Sequence, residues 1–153
     1  MKLDLGCGGL PQKKKVGFVG IDIADYYDVY KKGEFIQLDL FNEIPFEDDS
    51  IEEIYASQFI EHIPQDSVIW FFNEMYRILK PGGIFEIHVP PTSGRGAWCD
   101  PTHRSYWNDL SFQYYDMSWC RTLSESYGIR CNFERVEIKT LSEFNLRAIL
   151  RKI

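Results

Sequence analysis

The chain lacks most of the features that would place it in a specialised class. Its four cysteines, Cys7, Cys99, Cys120 and Cys131, include no CxxC pair. That spacing argues against a zinc ribbon or a disulfide-stapled scaffold and reads as reduced thiols. A zinc site through Cys99 and His103 needs further ligands that the spacing does not supply, so no metal is expected. No apolar run is long enough to cross a bilayer. The N-terminus carries no basic lead followed by a long apolar stretch, so no secretory signal is read and the cytoplasm is the default compartment. Repeats, low-complexity tracts and linkers are missing too. At 153 residues the sequence is expected to form a single domain, 1–153, large enough to bury a core without staples.

Positive charge is also scarce. The net charge is −6, with 17 Lys and Arg against 23 Asp and Glu. Phosphate binding needs clustered cations, so nucleic acid is not the expected partner. Residues 34–66 hold ten acids and no Lys or Arg, whereas 121–153 hold seven bases and four acids. The plain reading is two differently solvated faces. The Lys13-Lys14-Lys15 run reads as a solvated loop, close enough to the preceding glycines to meet an anionic group.

What is present is a succession of short apolar runs bounded by breakers: LDL at 3–5, VGFVGIDI at 16–23, EFIQLDL at 34–40, IEEIYAS at 51–57 and GIFEIHVP at 83–90. Near-continuous runs of this length fit strands covered on both faces, as in a parallel sheet. Between the last two, Ile69, Phe72, Tyr76 and Leu79 recur at helical spacing with Met75 beside them. Pro64 and Asp66 suit a helix start, and Gly82-Gly83 a stop. The unit is a strand–helix–strand crossover, which is right-handed and parallel. Residues 91–107 read as a long loop, of the kind that is usually functional or disordered. Asn108 or Asp109 can cap a short helix through Tyr115, and Tyr127-Gly128 closes another. CNFERVEIK and SEFNLRAILRK read as an antiparallel hairpin at the end of the sheet.

The opening strand runs straight into Gly6-Cys7-Gly8-Gly9. In an open α/β sheet the ligand sits outside the carboxyl ends of the strands, and bare backbone N–H groups there bind a phosphate or carboxylate without a side chain. The second run ends in Asp22, placed to accept hydrogen bonds from ribose hydroxyls. The third reaches Asp39, which can take the exocyclic amine of adenine. Gly6 and Gly8 alone would be a tight turn, and Asp22 alone a helix cap; the three strand ends together read as a cofactor cradle.

With those segments in hand, the sequence resembles the class I S-adenosylmethionine-dependent methyltransferases. The likeness rests on LDLGCGG at 3–9, GIDI at 20–23, LDL at 38–40, PFEDDSIEEIYASQFIEHI at 45–63 and NEMYRILKPGGIFEIHVP at 73–90. It implies a three-layer Rossmann-like α/β methyltransferase fold, with a mostly parallel sheet ending in an antiparallel C-terminal hairpin. It also implies S-adenosylmethionine as cofactor and a small-molecule or saccharide-type methyl acceptor. Carried over by position, Asp4, Gly6, Cys7 and Gly8 hold the methionine portion, and Asp22 with Ile23 the ribose. Asp39 and Leu40 bracket the adenine, and Ser57 and Gln58 line the floor beside the sulfonium. The sequence departs from the family at Leu10-Pro11, where a third glycine is usual, and at Gln58, where a His is common. The N-terminal helix usual before the first strand is missing, and ADYYDVYKKG allows at most a short helix. A trimmed member with one thinly covered sheet face is expected, which a homodimer partner would cover.

The stretch DPTHRSYW, 100–107, follows the fifth strand. There His103 can act as general base, Asp100 can orient it, and Arg104 can hold an anionic group; similar Asp-Pro-Thr-His stretches occur in a subgroup of these enzymes. The bland alternative is an Asp-Pro turn with His103 bonded to backbone. Glu61 and Tyr106 are placed with Arg104 on the substrate side, while His88 reads as a hydrogen-bonded core histidine. Transfer to oxygen is favoured because a His–Asp combination is available. The competing readings are a nicotinamide-dependent dehydrogenase, whose GxGxxG spacing Pro11 breaks, and a non-catalytic cofactor- or partner-binding domain on the same fold.

Overall fold

The structure, a computed structural model, describes residues 1–10, 12, 15–42 and 44–153. Strands β1 (Lys2–Leu5), β2 (Val19–Asp22), β3 (Phe35–Gln37) and β4 (Ile51–Ser57) precede helix α1 (Val68–Ile78) and strand β5 (Leu79–Val89). The short helix α2 (Gly96–Cys99), a 3₁₀ segment at Asp109–Tyr115, helix α3 (Met117–Ser126) and the hairpin β6 (Phe133–Ser142) and β7 (Asn145–Lys152) complete the chain. One seven-stranded sheet results, in the order β3-β2-β1-β4-β5-β7-β6. It is parallel up to β5, and β7 then runs antiparallel to both β5 and β6. Strand order reverses between β1 and β4, which places a crevice at their carboxyl ends.

The expected elements are present with shifts that have physical causes. The third strand stops at Gln37, before Leu38-Asp39-Leu40, because Asp39 caps its own turn by accepting from Phe41 N–H at 3.0 Å. Helix α1 starts at Val68 rather than near Pro64 and buries Val68, Phe71, Phe72, Met75 and Ile78. The buried stripe is therefore turned from the expected Ile69–Phe72–Tyr76–Leu79 line. Leu79 belongs to β5, and the hydroxyl of the half-buried Tyr76 donates to the Ile153 carbonyl at 2.7 Å. Phe72 is fully buried, stacked on Tyr115 at 4.0 Å and on Trp107 at 5.5 Å. A side chain of that kind contributes about 1.5–3 kcal/mol by burial. It fastens the segment around Trp107 to the sheet.

Alternation along the strands gives the sheet two unlike faces. Ile54, Ala56, Phe85, Ile87, Val89, Leu146, Ala148 and Leu150 are buried on the face that carries α1, as the 5.7 Å Phe72–Phe85 ring contact shows. The other face presents Glu53, Tyr55, Glu86, His88 and Arg147. Among the described residues no α-helix lies between β1 and β4, so helical cover of that sheet face is thin there, as expected of a trimmed member of the fold. Residues 15–18 stand in for it. The ammonium of Lys15 pairs with Glu86 and lies 4.3 Å over the Tyr55 ring, and Phe18 meets Tyr55 edge-on. Lys15 is thus committed to the sheet face, away from the cleft described below; Lys13, Lys14 and Pro11 lie outside the described residues. His88 is held on this polar face by Glu86 at 2.9 Å and Asn145 at 3.2 Å. Tyr26, Tyr27 and Tyr30 all pack on Phe35, and turns replace any helix in that connection.

The hairpin is fastened to α3 by Asp116, a buried N-cap that accepts from Ser118 N–H at 2.9 Å and from Arg135 Nε at 2.9 Å. Burial raises this carboxyl, but the hydrogen bonds from Ser118 and Arg135 outweigh it and hold it below the usual carboxylate value. Such a group stabilises the fold above the unfolded-state pKa of about 3.9, and its contribution fades as pH falls through the depressed folded-state value. Asp116→Asn is expected to cost about 1–2 kcal/mol at neutral pH, less than a fully buried pair would because Arg135 is part-exposed. In urea titrations the gap from wild type should narrow as pH falls below about 4; a gap that is constant with pH would refute the assignment.

Candidate functional site

At the end of β1 the chain enters the left-handed region twice, with φ of +66° at Gly6 and +62° at Gly8. Glycine is required at Gly6 for a second reason: a Cβ there would stand 2.5 Å from the Phe59 ring. The turn crosses to β2, where the N–H groups of Gly6 and Cys7 both donate to the Ile21 carbonyl, at 2.8 and 3.2 Å. Asp22 completes it. One carboxylate oxygen accepts from Gly8 N–H at 3.0 Å and the other from Ala24 N–H at 3.1 Å. A carboxylate has about four acceptor positions, so lone pairs remain for a ligand.

Around this turn lies a cleft of about 300 Å³ lined by Gly6, Ile21, Asp22, Ile23, Leu38, Asp39, Leu40, Phe41, Gln58, Phe59 and His62. Of the cofactor residues expected from the sequence, Gly6, Asp22, Ile23, Asp39, Leu40 and Gln58 line it. Asp4, Cys7, Gly8 and Ser57 are not among its lining residues. Buried Asp4 accepts from Lys15 N–H at 2.8 Å and so holds the loop from beneath. Burial pushes the Cys7 thiol up to about 11, which leaves it an unreactive neutral group. Gln58 adopts φ +53° and its N–H donates to the His88 carbonyl, so β4 and β5 fix its place in the wall. Phe41 and Phe59, whose rings are near parallel at 6.1 Å, and His62 carried no sequence signal for the cleft. The collision that Gly6 avoids with Phe59 can be seen only in three dimensions.

A second cluster adjoins the cleft through His62. Glu61 is 1% exposed, and neither of its carboxylate oxygens has a hydrogen-bond partner. Burial pushes this carboxyl up to about 7. A Glu61 oxygen and one ring nitrogen each of His62 and His103 lie within 4.8 Å of one another. His103 is oriented by the Ala97 carbonyl, 3.0 Å from Nδ1, while Asp100 stands 3.9 Å from Nε2. The Asp100 carboxylate is occupied instead by Thr102, through N–H at 2.8 Å and Oγ1 at 2.6 Å. Thr102 in turn faces His62 Nδ1, with Oγ1 at 3.1 Å. Arg104 lies beside His103 in a neighbouring depression with Pro64, Gln65 and Asp66. Tyr106 stacks on exposed Trp98 at 4.7 Å.

The cleft has apolar walls, two carboxylates and, among its described lining residues, no Lys or Arg. Acidic edges repel a pyrophosphate and suit hydroxyls and a cation. Fold and site together define an α/β protein with a nucleoside-type cleft at the carboxyl ends of its parallel strands. Residues 3–87 match the family model described as a methyltransferase domain, and the chain belongs to the class I S-adenosylmethionine-dependent methyltransferase family.

Its relatives include the sterol 24-C-methyltransferase erg6 of Schizosaccharomyces pombe, 32% identical over 67% of this chain and 31% of that protein. The sterol 24-C-methyltransferase of Pneumocystis carinii is 35% identical over the same shares. The chain thus spans about three-tenths of the length of these curated relatives. A methyltransferase structure from Archaeoglobus fulgidus superposes with a TM-score of 0.68 at 16% identity, over 99% of this chain and 85% of that one. The 1,6-didemethyltoxoflavin-N1-methyltransferase of Burkholderia thailandensis, solved with S-adenosylhomocysteine, gives 0.63 at 14% identity, over 99% and 70%. S-adenosylmethionine is the cofactor, and the residues present fit it: a glycine turn that no side chain could occupy, and carboxylates at two edges of an apolar slot.

Asp22→Asn keeps an oxygen for Gly8 N–H but gives up the charge. Calorimetry should show S-adenosylhomocysteine binding weakened about 10- to 100-fold, the equivalent of about 1.5–3 kcal/mol, with the melting temperature little changed. Gly6→Ala should lower both affinity and melting temperature, because its Cβ strikes Phe59 and its φ is strained. Unchanged binding in both variants would remove the ligand from this cleft.

Proposed function

We propose that the chain transfers the methyl group of S-adenosylmethionine to an oxygen of a small, saccharide-type acceptor. The observation that carries the reading is the cleft at the carboxyl ends of β1 and β2, where a glycine turn and the Asp22 carboxylate are bonded to each other. When bound, S-adenosylmethionine supplies an electrophilic methyl carbon, whose bond to sulfur breaks with its electron pair on sulfur as the acceptor oxygen attacks. The protein's part is alignment, which is worth about 7–11 kcal/mol in well-oriented reactions, and removal of the hydroxyl proton.

Proton removal falls to the imidazole pair beside the cleft. A carbonyl can only accept, so the Ala97 carbonyl places the His103 proton on Nδ1 and leaves the Nε2 lone pair available. Trp98, 61% exposed, and Tyr106, 45% exposed, form a stacked aromatic surface, and the carbonyl of Ala97, the residue before Trp98, is the one that orients that histidine. A flat apolar face flanked by polar groups suits the C–H face of a sugar ring. The sterol relatives act on carbon by name, but the chain spans too little of them to inherit their acceptor. A homodimer over the thinly covered sheet face would have to accommodate the Lys15–Glu86 ion pair and the His88–Glu86 contact there. The alternative of a non-catalytic binding domain predicts cofactor binding without transfer.

Against a panel of hydroxylated acceptors, His103→Ala should lower kcat by about 100-fold or more while leaving S-adenosylhomocysteine affinity within about twofold. Trp98→Ala should raise acceptor KM more than it lowers kcat. Wild-type turnover in His103→Ala would exclude it from proton removal, and an unchanged KM in Trp98→Ala would exclude the aromatic surface from acceptor binding.

A further inference from the structure

We propose that Glu61, His62 and His103 form a binding site for a divalent transition cation of the zinc class. The Glu61 carboxylate is the first reason. It is sealed from water with both oxygens unpartnered, and a buried acceptor in that state has to be explained by a missing partner. The second is the disposition of its neighbours. His103 Nδ1 faces the Ala97 carbonyl at 3.0 Å and His62 Nδ1 faces the Thr102 carbonyl at 3.3 Å. Carbonyls only accept, so both protons sit on Nδ1 and both Nε2 atoms keep lone pairs. Each imidazole thus keeps one lone pair, in a cluster where a ring nitrogen of each and a Glu61 oxygen lie within 4.8 Å of one another.

This is how metal-ligating histidines are held: the nitrogen away from the ion donates to a backbone carbonyl, which fixes the tautomer and ring orientation. Two neutral imidazoles and one carboxylate suit zinc or ferrous iron and leave positions open for other ligands. The mutual spacing within 4.8 Å is slightly wider than the roughly 3.4 Å between ligands of a tetrahedral zinc.

The backbone beneath the cluster is built to hold it. The Glu61 carbonyl accepts from the N–H groups of both Arg104 and Ser105, at 2.7 and 3.0 Å. Ser105 Oγ donates to the Ile60 carbonyl at 2.9 Å and accepts from Trp107 Nε1 at 3.0 Å. These bonds clamp the 60–62 turn against the 103–107 segment, so ligands about 40 residues apart in sequence are pre-positioned. The cluster lies between two solvent-facing sites, since His62 borders the cofactor cleft and His103 the depression shared with Arg104. Cation binding follows from these residues alone; because it takes the His103 Nε2 lone pair, the cation-bound chain cannot use His103 to remove the acceptor proton, so the two roles of this imidazole exclude each other.

The test uses the whole chain, stripped with chelator and titrated with zinc in parallel with S-adenosylhomocysteine. Wild type should bind one zinc per chain. A metal ligand is worth at least as much as the outer-shell partners whose loss costs 10- to 100-fold, so Glu61→Gln and His103→Ala should each weaken zinc about 100-fold or more. The cobalt form should show visible absorption without a sulfur-to-cobalt band, and Cys99→Ser should bind as wild type does. Retained S-adenosylhomocysteine binding certifies that each variant is folded; if Glu61→Gln fails that check, His103→Ala and the cobalt spectrum decide. No zinc binding by wild type, equal binding by the variants, or a sulfur-to-cobalt band would each overturn the site. Zinc binding without any S-adenosylhomocysteine binding would leave the site standing and overturn the proposed function instead.

Discussion

The bond between the Asp22 carboxylate and the Gly8 N–H joins the first strand's turn to the end of the second, and the cofactor cleft depends on it. With Gly6 and Cys7 N–H both on the Ile21 carbonyl, it forces the chain to leave β1 sideways over β2 instead of continuing upward. That path is open only to residues that tolerate positive φ, which is why glycines stand there. The same path brings Gly6 against Phe59 and so sets how close the wall of β4 comes to the turn. Carboxylate, glycine and aromatic ring act as one unit.

A constraint of a different kind governs the sheet. A parallel sheet ordinarily needs helices on both faces to keep its apolar surface from water. Here one face is apolar and carries α1, while the other is a lattice of Glu86, His88, Lys15 and Tyr55 that water can wet. The short connections among β1, β2 and β3 become possible because the second face asks for so little cover. Reduction of the fold and polarity of that face are two views of one arrangement.

Much of this was legible in the sequence, for reasons that differ by element. IEEIYAS at 51–57 coincides with β4 because its burial alternates over a run bounded by a turn on each side. Asn108 does cap the 3₁₀ segment after it, through Leu110 and Ser111 N–H, since capping is a local reaction between a side chain and the next turn. The buried stripe of α1 was less legible. Ile69 and Tyr76 have the right spacing, but which apolar row faces inward is set by Phe85, Trp107 and Tyr115, all distant in sequence. In the loop, DPTHRSYW shows a histidine and an acid three apart, yet the backbone turns Asp100 toward Thr102 and leaves His103 to the Ala97 carbonyl.

The sequence by itself determined the strand succession, the hairpin at its end, and the glycine turn with acids at the tips of the next two runs. These depend on short-range rules of φ, alternation and charge that a single chain segment obeys alone. Only the tertiary structure decided that Glu61, His62 and His103 meet, that Phe59 limits the turn, and that one sheet face is polar. Those outcomes depend on hydrogen bonds such as Arg104 N–H to the Glu61 carbonyl, which close loops of some 40 residues. No local spacing encodes which distant carbonyl a backbone donor will find.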